Sequence, residues 1–143
     1  MDHVAIMRKS WGLLPKIISE KKKVESRWYK SRCAPWDKIG KGDTVYFKNS
    51  GEPVSACAKV EKVFQFSDLT PRKVKQILDR YGKADGIEKK DSGKFFKLFK
   101  DKNYCLLVFL KNPRIIKSFN IDKSGFGMMS AWITVRDINE IKK

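Results

Sequence analysis

The stretch Glu20-Lys21-Lys22-Lys23-Val24-Glu25-Ser26-Arg27-Trp28-Tyr29 changes its periodicity in the middle. Before it, Leu13, Leu14, Ile17 and Ile18 recur at helical spacing. Ser10 offers an N-cap, and Pro15 fits only in a first turn, so a helix is expected from about Leu14. The run Lys21-Lys22-Lys23 closes that helix, with cations at the negative end of its dipole. After it, Val24–Tyr29 alternates as a strand does. Val24, Ser26 and Trp28 share one face, and Lys23, Glu25 and Arg27 the other. Lys22 stands at the helix-to-strand junction, where a side chain can turn into a cleft.

Working outward, Val4–Met7 is a short apolar run and reads as an opening strand. Lys30–Gly42 is a loop, and Asp43–Lys48 has high strand propensity. Asn49-Ser50-Gly51 is a turn signal, and Val54–Phe66 predicts one long or bent strand. Thr70-Pro71 opens a helix whose apolar face is Val74, Ile77, Leu78 and Tyr81, and Gly82 stops it. Lys83–Gly93 is polar and reads as a mobile loop. Phe95, Phe96 and Phe99 suggest a short amphipathic helix. Tyr104–Leu110 is a continuous apolar strand that Asn112-Pro113 breaks, and Ile115–Ile121 is another strand. A Gly125-Phe126-Gly127 turn, a strand at Ala131–Val135 and a terminal helix at Asp137–Ile141 follow. Strands outnumber helices, so a small mixed barrel with peripheral helices fits better than a doubly wound sheet. No linker or repeat divides residues 1–143, and one domain is expected.

Composition narrows the function. In 143 residues, 32 Lys plus Arg oppose 16 Asp plus Glu, a net charge of +16. Such an excess repels itself and points to an anionic partner. Nine of the cations lie between Arg8 and Arg32, with only Glu20 and Glu25 as acids. Trp11, Trp28 and Trp36 flank or sit within the same stretch. Cations that neutralise phosphates, interleaved with rings that stack on bases, are what a nucleic-acid site needs. The alternative is that the tryptophans are core and the lysines a solvated face.

Catalytic signatures are scarce. His3 is the one histidine, and the three cysteines Cys33, Cys57 and Cys105 form no C-x-x-C pair, so no zinc site is expected. There is no G-x-G-x-x-G, phosphate loop or G-x-S-x-G elbow, and no cofactor is expected. Cys57 and Cys105 lie in apolar runs and read as core. No signal-peptide pattern or membrane-length apolar run occurs, so a cytoplasmic, monomeric protein away from membranes is expected.

The segment Glu20–Arg27 resembles the G-x-K-x-x-E-x-R signature of ASCH domains, in the PUA-like superfamily. Lys22, Glu25 and Arg27 match, and Glu20 occupies the usual glycine position. Lys41-Gly42-Asp43-Thr44-Val45 is similar to that family's K-G-D-x-V strand entry, and Ser130-Ala131-Trp132-Ile133 resembles its C-terminal block. The resemblance implies an α+β fold: a PUA-like mixed β-barrel of five to seven strands with two to four peripheral helices and a cleft beside the signature. It also implies RNA binding. Some small members are enzymes, one an amidohydrolase of acetylated cytidine. In that enzyme a threonine stands where this chain has Glu25, and a lysine matching Lys22 activates it.

Two roles are open to the signature. In the first, Lys22, Glu25 and Arg27 hold RNA, or a modified or unmodified nucleotide within it. An arginine beside it keeps the glutamate ionised as an acceptor for a base amino group. Trp28 or Trp36 stacks, Lys21, Lys23, Lys30 and Arg32 grip phosphates, and Lys48-Asn49-Ser50 supplies polar edge contacts. In the second, a small hydrolase of a modified nucleoside or RNA uses Lys22 as base and Glu25 as proton shuttle. An ion pair that closes the barrel, and a basic face that docks an acidic protein, are the competing readings.

Overall fold

Two long antiparallel strands form the spine of the molecule. The computed structural model describes residues 1–127 and 129–143. In it the strands are β1 (Asp2–Met7), β2 (Val24–Tyr29), β3 (Thr44–Asn49), β4 (Val54–Phe66), β5 (Tyr104–Phe119) and β6 (Trp132–Val135). The helices are α1 (Leu13–Ile18), α2 (Pro71–Tyr81) and α3 (Ser92–Phe99), with single 3-10 turns at Lys9–Trp11, Lys89–Asp91 and Ile138–Glu140. The six strands make one sheet in the order β2-β5-β4-β3-β1-β6. Only the β1–β3 pair is parallel.

The expected break at Asn112-Pro113 does not occur. β5 runs through it as a 16-residue strand. Between the pairs Lys59–Lys111 and Cys57–Arg114 it carries one residue more than β4, and Asn112 takes a left-handed φ of 53° there. A bulge tolerates a proline, which has no N–H to give the ladder. A second bulge, with the extra residue on β4, lies between Val60 and Lys62. Bulges bend the strands that carry them, and these help the sheet curl into a half-barrel.

The three α-helices differ from expectation only at their ends. α1 begins at Leu13 behind Gly12, whose left-handed φ of 62° leaves Ser10 in the preceding 3-10 turn. It ends at Ile18, so the lysine run lies beyond the helix. Leu14 and Ile17 reach into the barrel interior with Ala5, Phe47, Leu106 and Val108. Thr70 caps α2 as expected, its hydroxyl accepting from the Lys73 N–H at 3.2 Å. Val74, Ile77 and Leu78 then pack with Val24, Trp28 and Leu107 on the outer face of the sheet. The terminal helix is the single turn Ile138–Glu140, which covers a third cluster with Val4, Ile133 and Ile141.

Strand β2 keeps the alternation its residues dictate. Val24 and Trp28 face α2 and α3, while Glu25 and Arg27 pair with Val108 and Leu106, two residues of the interior. Two charges therefore stand on the inner face of a barrel. Among the described residues no helix is long and apolar enough to cross a membrane. Cys57 and Cys105 are buried, and Cys33 is exposed.

Candidate nucleotide site and basic surface

Lys22 does not open into a cleft: its side chain is fully buried. Ser19 ends α1, Glu20 turns the chain through a left-handed φ of 62°, and the Lys22 N–H donates back to the Lys16 carbonyl at 2.9 Å. Its ammonium donates to the carbonyls of Val24 (2.7 Å) and Asp85 (2.8 Å) and to the Asp85 carboxylate, and lies 3.4 Å from Glu25 Oε1. The other Asp85 oxygen accepts from the Ser26 hydroxyl, which in turn accepts from Trp28 Nε1 at 3.1 Å.

Burial alone would lower the Lys22 pKa, but Asp85 and Glu25 outweigh it and hold the ammonium above its ordinary value. Burial pushes the Asp85 carboxyl up, with Glu25 adding to it, against the pull of Lys22. For an ion pair those two directions conflict. The geometry decides for a charged lysine: every group around Nζ is an acceptor, and two N–H bonds of a neutral amine could not serve them.

Asp85 is the member of this cluster that sequence reading missed. The segment Lys83–Gly93 reads as a polar mobile loop, yet Asp85 is 5% exposed. The Ala84 carbonyl accepts from the N–H groups of both Lys23 (2.6 Å) and Val24 (3.0 Å). Gly86 adopts a φ of 79°, and a Cβ there would lie 3.1 Å from the Lys22 Cβ. The signal was present in Ala84-Asp85-Gly86-Ile87, where apolar residues flank an acid and a glycine.

Glu25 is also buried, at 3% exposure. Its Oε2 lies 3.5 Å from Arg27 Nη2 and accepts no hydrogen bond from any described residue. Arg27 is occupied elsewhere. Its guanidinium donates to the carbonyls of Ala131 (3.1 Å) and Ile6 (3.3 Å) and covers the Trp132 ring at 5.1 Å. It thus reaches from one edge of the curled sheet, β2, to β1 and the entry of β6, and closes the seam between them.

Trp132 is held from below. Its indole N–H donates to His3 Nδ1 at 3.1 Å, which places the imidazole proton on Nε2, 2.9 Å from Asp43 Oδ2. His3 is fully buried; burial lowers its pKa against the opposing pull of Asp43. Burial raises the Asp43 pKa, but the His3 and Gly40 N–H bonds outweigh it and bring it below its ordinary value. At sequence level His3 has no assigned role. Its alternation with Ala5 and Met7 was the available signal for an inward side chain.

The remaining expected site residues divide. Lys48, Asn49 and Ser50 close β3 beside Ile6 and Met7, the end of β1 that Arg27 touches. Asn49 donates to Glu52 at 3.0 Å, and burial together with the Lys123 charge lowers the Lys48 pKa. Trp28 is not free to stack on a base: it is 8% exposed and lies parallel to Phe99 at 4.7 Å. Trp36 sits by the opposite end of β2, edge-on to Tyr104 at 5.2 Å with the Arg32 guanidinium above it at 5.6 Å. Lys30 and Arg32 are exposed at that end, and Lys21 and Lys23 are exposed on either side of Lys22. Among the described residues no group of three or more His, Cys, Asp or Glu is placed to hold a metal ion.

No protein-family model and no curated protein matches the sequence. Solved structures do match. The ASCH structure from Zymomonas mobilis superposes with a TM-score of 0.65 at 17% identity, over 94% of this chain and 87% of that one. A tyrosine-to-phenylalanine variant of the Zymomonas mobilis protein gives a TM-score of 0.68 at 17% identity, over 97% and 93%. A serine-to-alanine variant gives 0.67 at 16%, over 97% and 91%. The chain therefore has the ASCH-type, PUA-like α+β fold that its signature implies.

Proposed function

We propose that this protein is an RNA-binding module that takes a nucleotide of the RNA against Glu25. The observation that carries the reading is Glu25 Oε2, a buried carboxylate oxygen that accepts no hydrogen bond among the described residues. Buried acceptors are almost always paired, so an unpaired one between fixed neighbours is an acceptor held ready for a ligand donor. An exocyclic amino or ring N–H of a base is such a donor. Arg27 lies 3.5 Å from that oxygen without donating to it, because its own N–H groups go to Ala131 and Ile6. Lys48, at the end of β3 beside the β1 residues that Arg27 touches, supplies charge for a phosphate.

The arrangement favours binding over hydrolysis. A base must be able to accept a proton, and Lys22 is held charged among acceptors that claim its N–H bonds. The threonine of the related amidohydrolase is also replaced by Glu25.

The test is a titration with single-stranded and structured RNA at low and moderate salt, using the native chain and Glu25→Gln. Affinity should fall with salt, and Glu25→Gln should weaken it by about tenfold, the worth of one hydrogen bond to a charged group. Negligible affinity at low salt, or affinity indifferent to salt, removes the proposal.

A further inference from the structure

We infer that a second, separate surface, the groove between α1, α2 and residues 82–92, is a track for the phosphate backbone of an RNA strand. The inference rests on the RNA-binding reading and adds to it a sequence-independent contact on the outside of the barrel. The groove has a volume of about 1290 Å³. Seven cationic residues and three acids line it. Asp79 is occupied by Lys75 at 3.2 Å, and Glu88 by Lys90 at 3.3 Å. Lys21, Lys23, Lys83 and Lys89 have no carboxylate partner among the described residues. Four uncompensated ammonium groups on one concavity are held against their own repulsion, and a chain of spaced phosphates relieves it.

The floor gives the mode of contact. It is made of Leu78, Ala84 and Ile87 with Gly82 and Gly86, and no ring lines it. Without a stacking platform or a base-edge acceptor at its floor, the groove can follow a backbone but not read bases. The floor is also firm, because the Ala84 carbonyl ties it to Lys23 and Val24 while Gly86 rests on Lys22.

RNA fits better than an acidic polypeptide because of what lies behind the wall. Lys21 and Lys23 flank Lys22, whose ammonium lies 3.4 Å from Glu25, so the groove cations and the Glu25 site share one run of three lysines. RNA carries phosphates for the groove lysines and base N–H donors for the Glu25 oxygen, whereas the side chains of an acidic peptide offer that oxygen only further carboxylates.

The experiment compares Lys23→Gln/Lys83→Gln/Lys89→Gln with a control triple of equally exposed lysines elsewhere, Lys97→Gln/Lys100→Gln/Lys117→Gln. The probe is a short oligouridine, titrated across salt concentrations with each chain and with Glu25→Gln. The groove triple should lose at least about tenfold in affinity, and its slope of log affinity on log salt should flatten by about 2, at roughly 0.7 per lost phosphate contact. The control triple should change the slope by much less. Equal losses in both triples overturn the track, as does polyglutamate of matched charge competing as well as oligouridine. Binding that is lost in the groove triple but indifferent to Glu25→Gln keeps the track and removes the nucleotide site. A native chain that binds no oligouridine at low salt removes both.

Discussion

The buried cluster around Lys22 and the open groove walled by Lys21 and Lys23 stand back to back on one run of three lysines. The side chains are chemically identical, and burial alone separates what they do. Lys22 exchanges water for two carbonyls and two carboxylates, and its charge becomes part of the architecture. Lys21 and Lys23 stay exposed and keep their water. A basic run is thus not one feature. Its middle residue faces inward because Asp85 waits there, and its flanks face outward because nothing does.

The sharpest way to break this contrast is Lys22→Met. It leaves the buried carboxylates of Asp85 and Glu25 without the ammonium between them, and denaturant titration should show a loss of about 3–5 kcal/mol. Lys21→Met and Lys23→Met should stay within about 0.5 kcal/mol. Equal effects at the three positions would mean that the buried cluster is not what holds residues 84–86 to the barrel.

Arg27 offers a smaller effect on the same inner side. Arg27→Met removes the donors to Ala131 and Ile6 that join the sheet edges, and should cost roughly 2 kcal/mol. Arg27→Lys keeps the charge but not the fork, and should recover only part of it. Full recovery in a thermal melt would show that charge, not geometry, closes the seam.

The support beneath Trp132 predicts a pH dependence. The folded pKa of His3 lies below its unfolded value near 6.5, so the unfolded chain takes up the proton first. Stability from His3 is therefore complete above about pH 6.5 and declines as pH falls toward the lower, folded value. Asp43 acts in a different window, below the ordinary carboxylate range. Because His3 is the one histidine, urea midpoints compared between pH 7.5 and 5.5 should shift in the native chain and not in His3→Gln. A shift that persists in the variant would assign the effect elsewhere.

The mildest change is Glu20→Gly. Glu20 holds a left-handed φ of 62°, where a side chain is strained and glycine is not. Glycine's greater unfolded entropy offsets part of the relief, and a gain of about 0.5 kcal/mol is expected from the melting temperature. The turn also explains why the related signature carries glycine at this position. A loss of stability would mean that the Glu20 side chain makes up for its backbone.

What the sequence by itself determined is what repeats over a few residues. Helical spacing in Leu14 and Ile17, the Thr70-Pro71 start and the alternation of β2 are local, because a side chain's direction follows from the backbone period. That alone placed Glu25 and Arg27 on one face and Trp28 on the other. The partners of those side chains were beyond such reasoning. Asp85 meets Lys22 across 63 residues, Arg27 meets Ala131 across 104, and Trp132 meets His3 across 129. β5 crosses Asn112-Pro113 because it takes up the extra residue as a bulge against β4. Only the tertiary structure decided that one lysine of three is buried and that one glutamate oxygen accepts no hydrogen bond among the described residues. Burial and pairing depend on which distant loop the folded chain brings alongside, and no local period carries that information.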